Sequence, residues 1–218
     1  MTPVRVNYRE ILRYLGYRGK EADERTLSLI KSCLHELEGV SRPKNVSARY
    51  GVTVTPEDVC FAGLCIRSKK LAQHLRGCEQ AIVFAATLGP QADRLMARYE
   101  RVDMSRAVVM QASAAALVEA YCDECCAGFA KEERERGLYL RPRFSPGYSD
   151  FSILHQRDIL RLLDAPKKIG LSMTESCMLV PVKSVTAIIG LTGEPTLCAK
   201  HKCADCSKTD CPFREEYQ

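Results

Sequence analysis

Apolar residues recur at helical spacing in YREILRYLGYRG and in EADERTLSLIKSCLHELEG, which predicts a helical N-terminal part over about residues 1–45. Glycine stops the first helix, and the second is expected to end at Gly39. A basic, proline-containing connection follows. SARYGVTVT and DVCFAGLCI then turn to β-branched and aromatic residues and read as strands, SKKLAQHLRGC as a helix, and QAIVFAATLG as a buried strand. The strongest helical pattern runs from Asp103, placed as an N-cap, to about Gly137, placed to close the C-terminus. Beyond it LHQRDILRLLDA reads as a helix, and KKIGLSMTE and SVTAIIGL as strands. Strands and helices do not alternate in regular βαβ units, so the pattern predicts an α+β fold.

Two features carry candidate chemistry. Along the long helix Val108, Ala112, Ala115, Glu119, Cys122, Cys126 and Phe129 follow one another by three or four residues, which places them on one face with Glu119 as its charge. Burying an ionised carboxylate costs several kcal/mol unless it is paired. Glu119 is therefore expected to meet a protein cation, a hydroxyl or a ligand group. Downstream, RFSPGYSD (143–150) predicts a type II turn, because Pro146 presets φ and Gly147 tolerates positive φ. Arg143, Ser145 and Tyr148 surround that bare backbone. A guanidinium fork suits a carboxylate, and a tyrosine face attracts a cation.

Composition narrows the setting. The net charge of +5 is spread along the chain among acidic residues, and aromatics make up 7% with no tryptophan, which argues against a nucleic-acid groove. The start MTPVRVNYREILRYLGY lacks the apolar core of a secretory signal, and the longest apolar stretches are too short to span a bilayer; a cytoplasmic location is expected. In that setting the twelve cysteines are expected as thiols and metal ligands. The tail CAKHKCADCSKTDC places Cys198, Cys203, Cys206 and Cys211 in a C-x4-C-x2-C-x4-C array with little apolar material around it. Four thiolates at this spacing suit zinc or an iron–sulfur cluster, and softness alone does not separate the two. Residues 1–195 are read as one α+β domain and 196–218 as a Cys-rich metal-binding tail.

The long helix with Glu119, the turn RFSPGYSD, and LSMTESCMLVPVKSVTAIIGL together resemble the activation domain of cobalamin-dependent methionine synthase, over roughly Ala81 to Leu191. The resemblance implies a mixed or antiparallel sheet with a long central helix. It also implies S-adenosylmethionine as ligand, with its methyl presented to a cobalamin that has slipped to Co(II). A flavodoxin- or ferredoxin-like donor supplies one electron, the resulting Co(I) attacks the sulfonium methyl, and methylcobalamin is restored. By the same resemblance Arg143 holds the methionine carboxylate, Ser145 and Gly147 offer backbone contacts, Tyr148 lies on the ligand, and Glu119 meets its amine or ribose.

The chain departs from the family's pattern in two respects. It carries no cobalamin, folate or homocysteine module, so it is expected to act in trans on a cobalamin-binding methionine synthase or another corrinoid protein that supplies the cobalamin. Where the family has a tyrosine pair soon after AIIGL, this chain has TGEPTLCAK. A further expectation gives the Cys tail an iron–sulfur cluster that passes the electron to cobalt. The alternative from another class is a non-catalytic, metal-containing module that docks a partner protein and keeps a vestigial or regulatory ligand pocket.

Overall fold

The computed structural model describes residues 5–17 and 21–195. It opens with α1 (Tyr8–Tyr14) and α2 (Glu24–Val40), whose first turn is capped by the Asp23 carboxylate accepting from the Thr26 amide at 2.7 Å. Gly39 lies inside α2 rather than ending it. The chain leaves the helix at Ser41, two residues before Pro43, which cannot continue it. Strand β1 (Lys44–Gly51) begins directly after that proline, so the expected basic connection is shorter than the sequence suggested.

SARYGVTVT is divided between β1 and the two-residue β2 (Thr53–Val54). DVCFAGLCI is not one strand but a hairpin of β3 (Asp58–Phe61) and β4 (Leu64–Arg67). Ala62 and Gly63 both take positive φ at its tip, the geometry that matches a tight turn to the twist of its strands. The register sets Cys60 opposite Cys65, and the two form a disulfide, which corrects the expectation of thiols at these positions.

Next come α3 (Lys69–His74) and β5 (Gln80–Thr87). Helix α4 (Pro90–Val102) was not anticipated: its apolar positions are sparse among charges, although Pro90 after Gly89 is a start signal. Helix α5 (Met104–Arg134) follows, with Asp103 accepting from the Arg106 amide at 3.0 Å as expected of its N-cap. After β6 (Tyr139–Leu140) and a single 3-10 turn (Ile153–His155), α6 (Gln156–Leu163) fills the segment read as helix. KKIGLSMTE is mostly not strand. Its lysines close α7 (Ala165–Ile169), left-handed Gly170 ends that helix, and only β7 (Ser172–Met173) remains, paired with β8 (Leu179–Val180). β9 (Ser184–Thr192) completes the chain described here.

The principal sheet runs β1-β5-β9-β6, with antiparallel neighbours throughout. Its central strands are covered on both faces. Ile82, Phe84, Ala86, Ala187, Ile189 and Leu191 join the core beneath α1, α2, α4 and α5, while Ala81, Val83, Ala85 and Ile188 join the core with α3, α6, α7 and the β3–β4 hairpin. Period-two alternation sends successive side chains into opposite cores, and this explains why QAIVFAATLG and SVTAIIGL are apolar almost without interruption. Gly190 is needed in β9, because a Cβ there would lie 2.6 Å from Leu75 and 2.8 Å from the Cys78 sulfur. The fold is thus α+β with an antiparallel sheet and a long helix, as expected.

Candidate functional site

Residues beyond β6 continue along β9. The Arg141 amide donates to the Gly190 carbonyl, and Phe144 and Ile188 exchange two hydrogen bonds of 2.9 Å. This edge pairing fixes the backbone on both sides of Arg143. Alternation places Phe144 against the α3/α6 core, while Arg143 reaches α5, where its guanidinium donates to Glu119 and Asp123 at 2.7 Å each. Cys126 lies on the same row, 3.5 Å from Nη1. Glu119, Asp123 and Cys126 stand at i, i+4 and i+7, so they share one line along the helix.

That line differs from the stripe expected from spacing. Val108 is exposed, whereas Ala107, Met110, Ala114, Leu117 and Val118 are buried. Helix α5 lies between the sheet and α1, α2 and α4, so small side chains on a broad arc form its core. Glu119 is consequently not a buried acid but a margin residue with 32% of its side chain exposed. The more buried member of the pair is Arg143, whose side chain is 9% exposed, and Asp123 is 74% exposed. Burial disfavours the Arg143 charge, but Cys122, Cys126 and Glu119 more than offset it and push its pKa above the ordinary value. Asp123 was missed; its signal was the i, i+4 spacing from Glu119.

The turn has the expected form. The Tyr148 amide donates to the Ser145 carbonyl at 3.1 Å, Gly147 has φ of +93°, and its amide donates to the Phe151 carbonyl at 2.7 Å. A Cβ on Gly147 would be strained by that φ and would also stand 3.1 Å from Ile153. These bonds leave the Ser145 hydroxyl and the Gly147 carbonyl outside the turn's own pairing. Beneath it, Phe144 lies edge-on to Tyr148, stacks on Phe151 and meets His74, whose Nε2 donates to the Pro142 carbonyl at 2.9 Å.

Tyr148 is 47% exposed, and its pKa is raised, first by desolvation and then by the Glu119 carboxylate. Tyr14 of α1, packed against the α5 core, is pushed up to about 12, mainly by burial and in part by Glu10 and Glu119. Glu119, Arg143 and Tyr148 therefore share one electrostatic neighbourhood, with Ser145 and Gly147 in the adjoining turn. The arrangement offers a buried cation, exposed acids and a half-open ring. It suits a zwitterion with a second cationic centre.

Cys122 is buried and its thiol pKa is raised chiefly by desolvation; Cys125 follows for the same reason. Among the described residues no group of three or more His, Cys, Asp or Glu side chains could hold a metal. Cys198, Cys203, Cys206 and Cys211 lie outside the described residues. Among the described residues no helix is long and apolar enough to cross a membrane.

A family model for the vitamin B12 dependent methionine synthase activation domain matches residues 70–205. No curated protein matches the chain in sequence. Among solved structures it is similar to the crystal structure of the MetH reactivation domain bound to AdoHcy, with a TM-score of 0.62 and 20% identity. The match covers 79% of this chain and 66% of that one, just under two thirds, and likeness at this identity speaks to the fold.

Proposed function

Since the chain belongs to the vitamin B12 dependent methionine synthase activation domain family, we propose that it binds S-adenosylmethionine over the Ser145–Tyr148 turn and supports reductive methylation of a corrinoid held by a separate protein. That partner is a cobalamin-dependent methionine synthase or a related corrinoid protein, and a flavodoxin- or ferredoxin-like donor supplies the electron. The bound neighbour, with AdoHcy on a similar fold, supports the ligand class.

The observation that carries the reading is the Arg143 ion pair, in which the cation's side chain is largely withdrawn from water while Glu119 is partly and Asp123 mostly exposed. An exposed ion pair is worth about 0–1 kcal/mol, because water competes for both charges. An incoming α-carboxylate displaces Asp123 at that small cost and takes the Nη1 side of a guanidinium that Glu119 already orients through Nη2. Glu119 stays to meet the ligand's ammonium group or ribose. The Ser145 hydroxyl and Gly147 carbonyl supply the polar edge, and the Tyr148 face lies against the sulfonium, an attraction of about 0.5–2 kcal/mol.

S-adenosylmethionine supplies the methyl group, and the partner's corrinoid supplies the nucleophilic metal. The work of this chain is to bind, orient and leave the methyl side open. A metal in the tail, zinc or iron–sulfur, would rest on Cys198, Cys203, Cys206 and Cys211, and metal analysis after anaerobic purification decides its identity. Calorimetry tests the main reading: one S-adenosylmethionine bound per chain is expected, and absence of binding by the pure, folded protein overturns it.

A further inference from the structure

The RFSPGYSD segment ends in an acid that no part of the ligand reading uses. Asp150 reaches across to the start of α3, about eighty residues earlier in the chain. Its Oδ1 accepts from the Ser68 hydroxyl at 2.6 Å, and its Oδ2 accepts from the Lys69 amide at 2.8 Å. The Lys70 amide is shared between both oxygens at 3.2 and 3.3 Å. Ser68 is itself fixed: its hydroxyl caps the Leu71 amide at 3.0 Å, and its amide donates to the Glu57 carbonyl at 2.9 Å.

We infer that Asp150 is a positioning residue that latches the Arg143–Tyr148 turn to the N-terminus of α3 and so sets where the Tyr148 ring and the Gly147 carbonyl stand. The front of the segment is held by the Phe144–Ile188 pairing and its far end by Asp150, leaving Ser145 to Ser149 as a short span between two anchors. Ser149, with φ of +52°, and the bond from the Phe151 amide to the Tyr148 carbonyl show a chain bent sharply to bring the carboxylate to α3. A carboxylate on free amides at a helix start is well placed, because those donors have no partner within the helix and the helix dipole favours negative charge. Although burial opposes ionisation, the hydrogen bonds from Ser68, Lys70 and Lys69 lower the Asp150 pKa. The latch is therefore complete at neutral pH and is lost as pH falls through its depressed value.

The inference rests on the ligand reading for its consequence but is measured on the free protein. In Asp150→Ala, amide exchange of residues 145–151 should accelerate strongly while that of β5 and β9 stays unchanged. The Tyr148 titration, obtained as the ultraviolet difference from Tyr148→Phe, should move back toward ordinary tyrosine. S-adenosylmethionine affinity should fall about tenfold, as expected if the released turn holds its binding-competent form about one-tenth of the time. Asp150→Asn, which keeps one acceptor oxygen, should lie between; it also serves if the alanine variant does not fold. A variant that lowers the melting temperature but leaves both turn exchange and Tyr148 titration as in the parent overturns the latch. Failure of the parent protein to bind S-adenosylmethionine, with the exchange and titration changes present, sinks the ligand reading and leaves the latch standing.

Discussion

Helix α5 carries two acid–arginine clusters, one at each end of its second half, and they are built in opposite senses. At Glu133 the carboxylate is buried, 6% exposed, and its two oxygens are held at 2.9 Å by Arg49 and Arg136, which are 36% and 54% exposed. At Arg143 the cation is buried and the acids face water. The first cluster pins β1 to the C-terminal turn of α5 and holds each carboxylate oxygen on an arginine. The second keeps a desolvated donor fork whose partners can leave. Burial of one member decides which charge is permanent and which is exchangeable, and this contrast is what the proposed ligand role of the Arg143 cluster rests on.

The contrast can be broken experimentally. Arg143→Ala should weaken S-adenosylmethionine binding by at least about 30-fold, since losing one side of a desolvated charge pair costs about 2–5 kcal/mol. Its effect on folding should be small, because Glu119 and Asp123 return to water; undiminished calorimetric affinity would sink the assignment. Glu133→Gln should do the reverse, lowering stability by about 1–2 kcal/mol in denaturant unfolding while leaving ligand affinity unchanged. That figure lies below the 3–5 kcal/mol of a fully buried broken pair because both arginines can rehydrate. A binding defect in Glu133→Gln would show that the two clusters are not independent.

Smaller changes sharpen the comparison. Tyr148→Leu should cost about fivefold in affinity for S-adenosylmethionine and less for its uncharged thioether product, if the ring attracts the sulfonium. Equal losses for both ligands would assign the ring a packing role instead. Asp123→Asn should bind S-adenosylmethionine up to about fivefold more tightly, because it removes a competing carboxylate whose exposed pair is worth at most about 1 kcal/mol. Weaker binding in this variant would mean that Asp123 belongs to the bound site and is not displaced.

Much of this site was legible in advance because its parts are local. The Pro146-Gly147 turn follows from φ constraints on two adjacent residues, and it stands next to Arg143, which pairs with Glu119. What was read wrongly depended on distant packing. Spacing alone put Glu119 in the middle of a buried stripe, but the flank of α5 that faces outward is set by the sheet and three helices around it, so Val108 emerged and Glu119 moved to the margin. Asp123 was invisible for the same reason: on a helix, an exposed acid becomes an ion-pair partner only when an arginine from another element arrives beside it. The Cys60–Cys65 bridge likewise needed the hairpin register.

By itself, then, the sequence determined the long capped helix, the doubly buried strands and the bend at Gly147, each set by hydrophobic period or by backbone sterics within a few residues. Tertiary structure alone decided that Arg143 is the buried charge, that Asp123 occupies it, and that Asp150 closes on α3. These are matters of solvent exclusion and long-range pairing, and no local period encodes which of two opposite charges will lose its water.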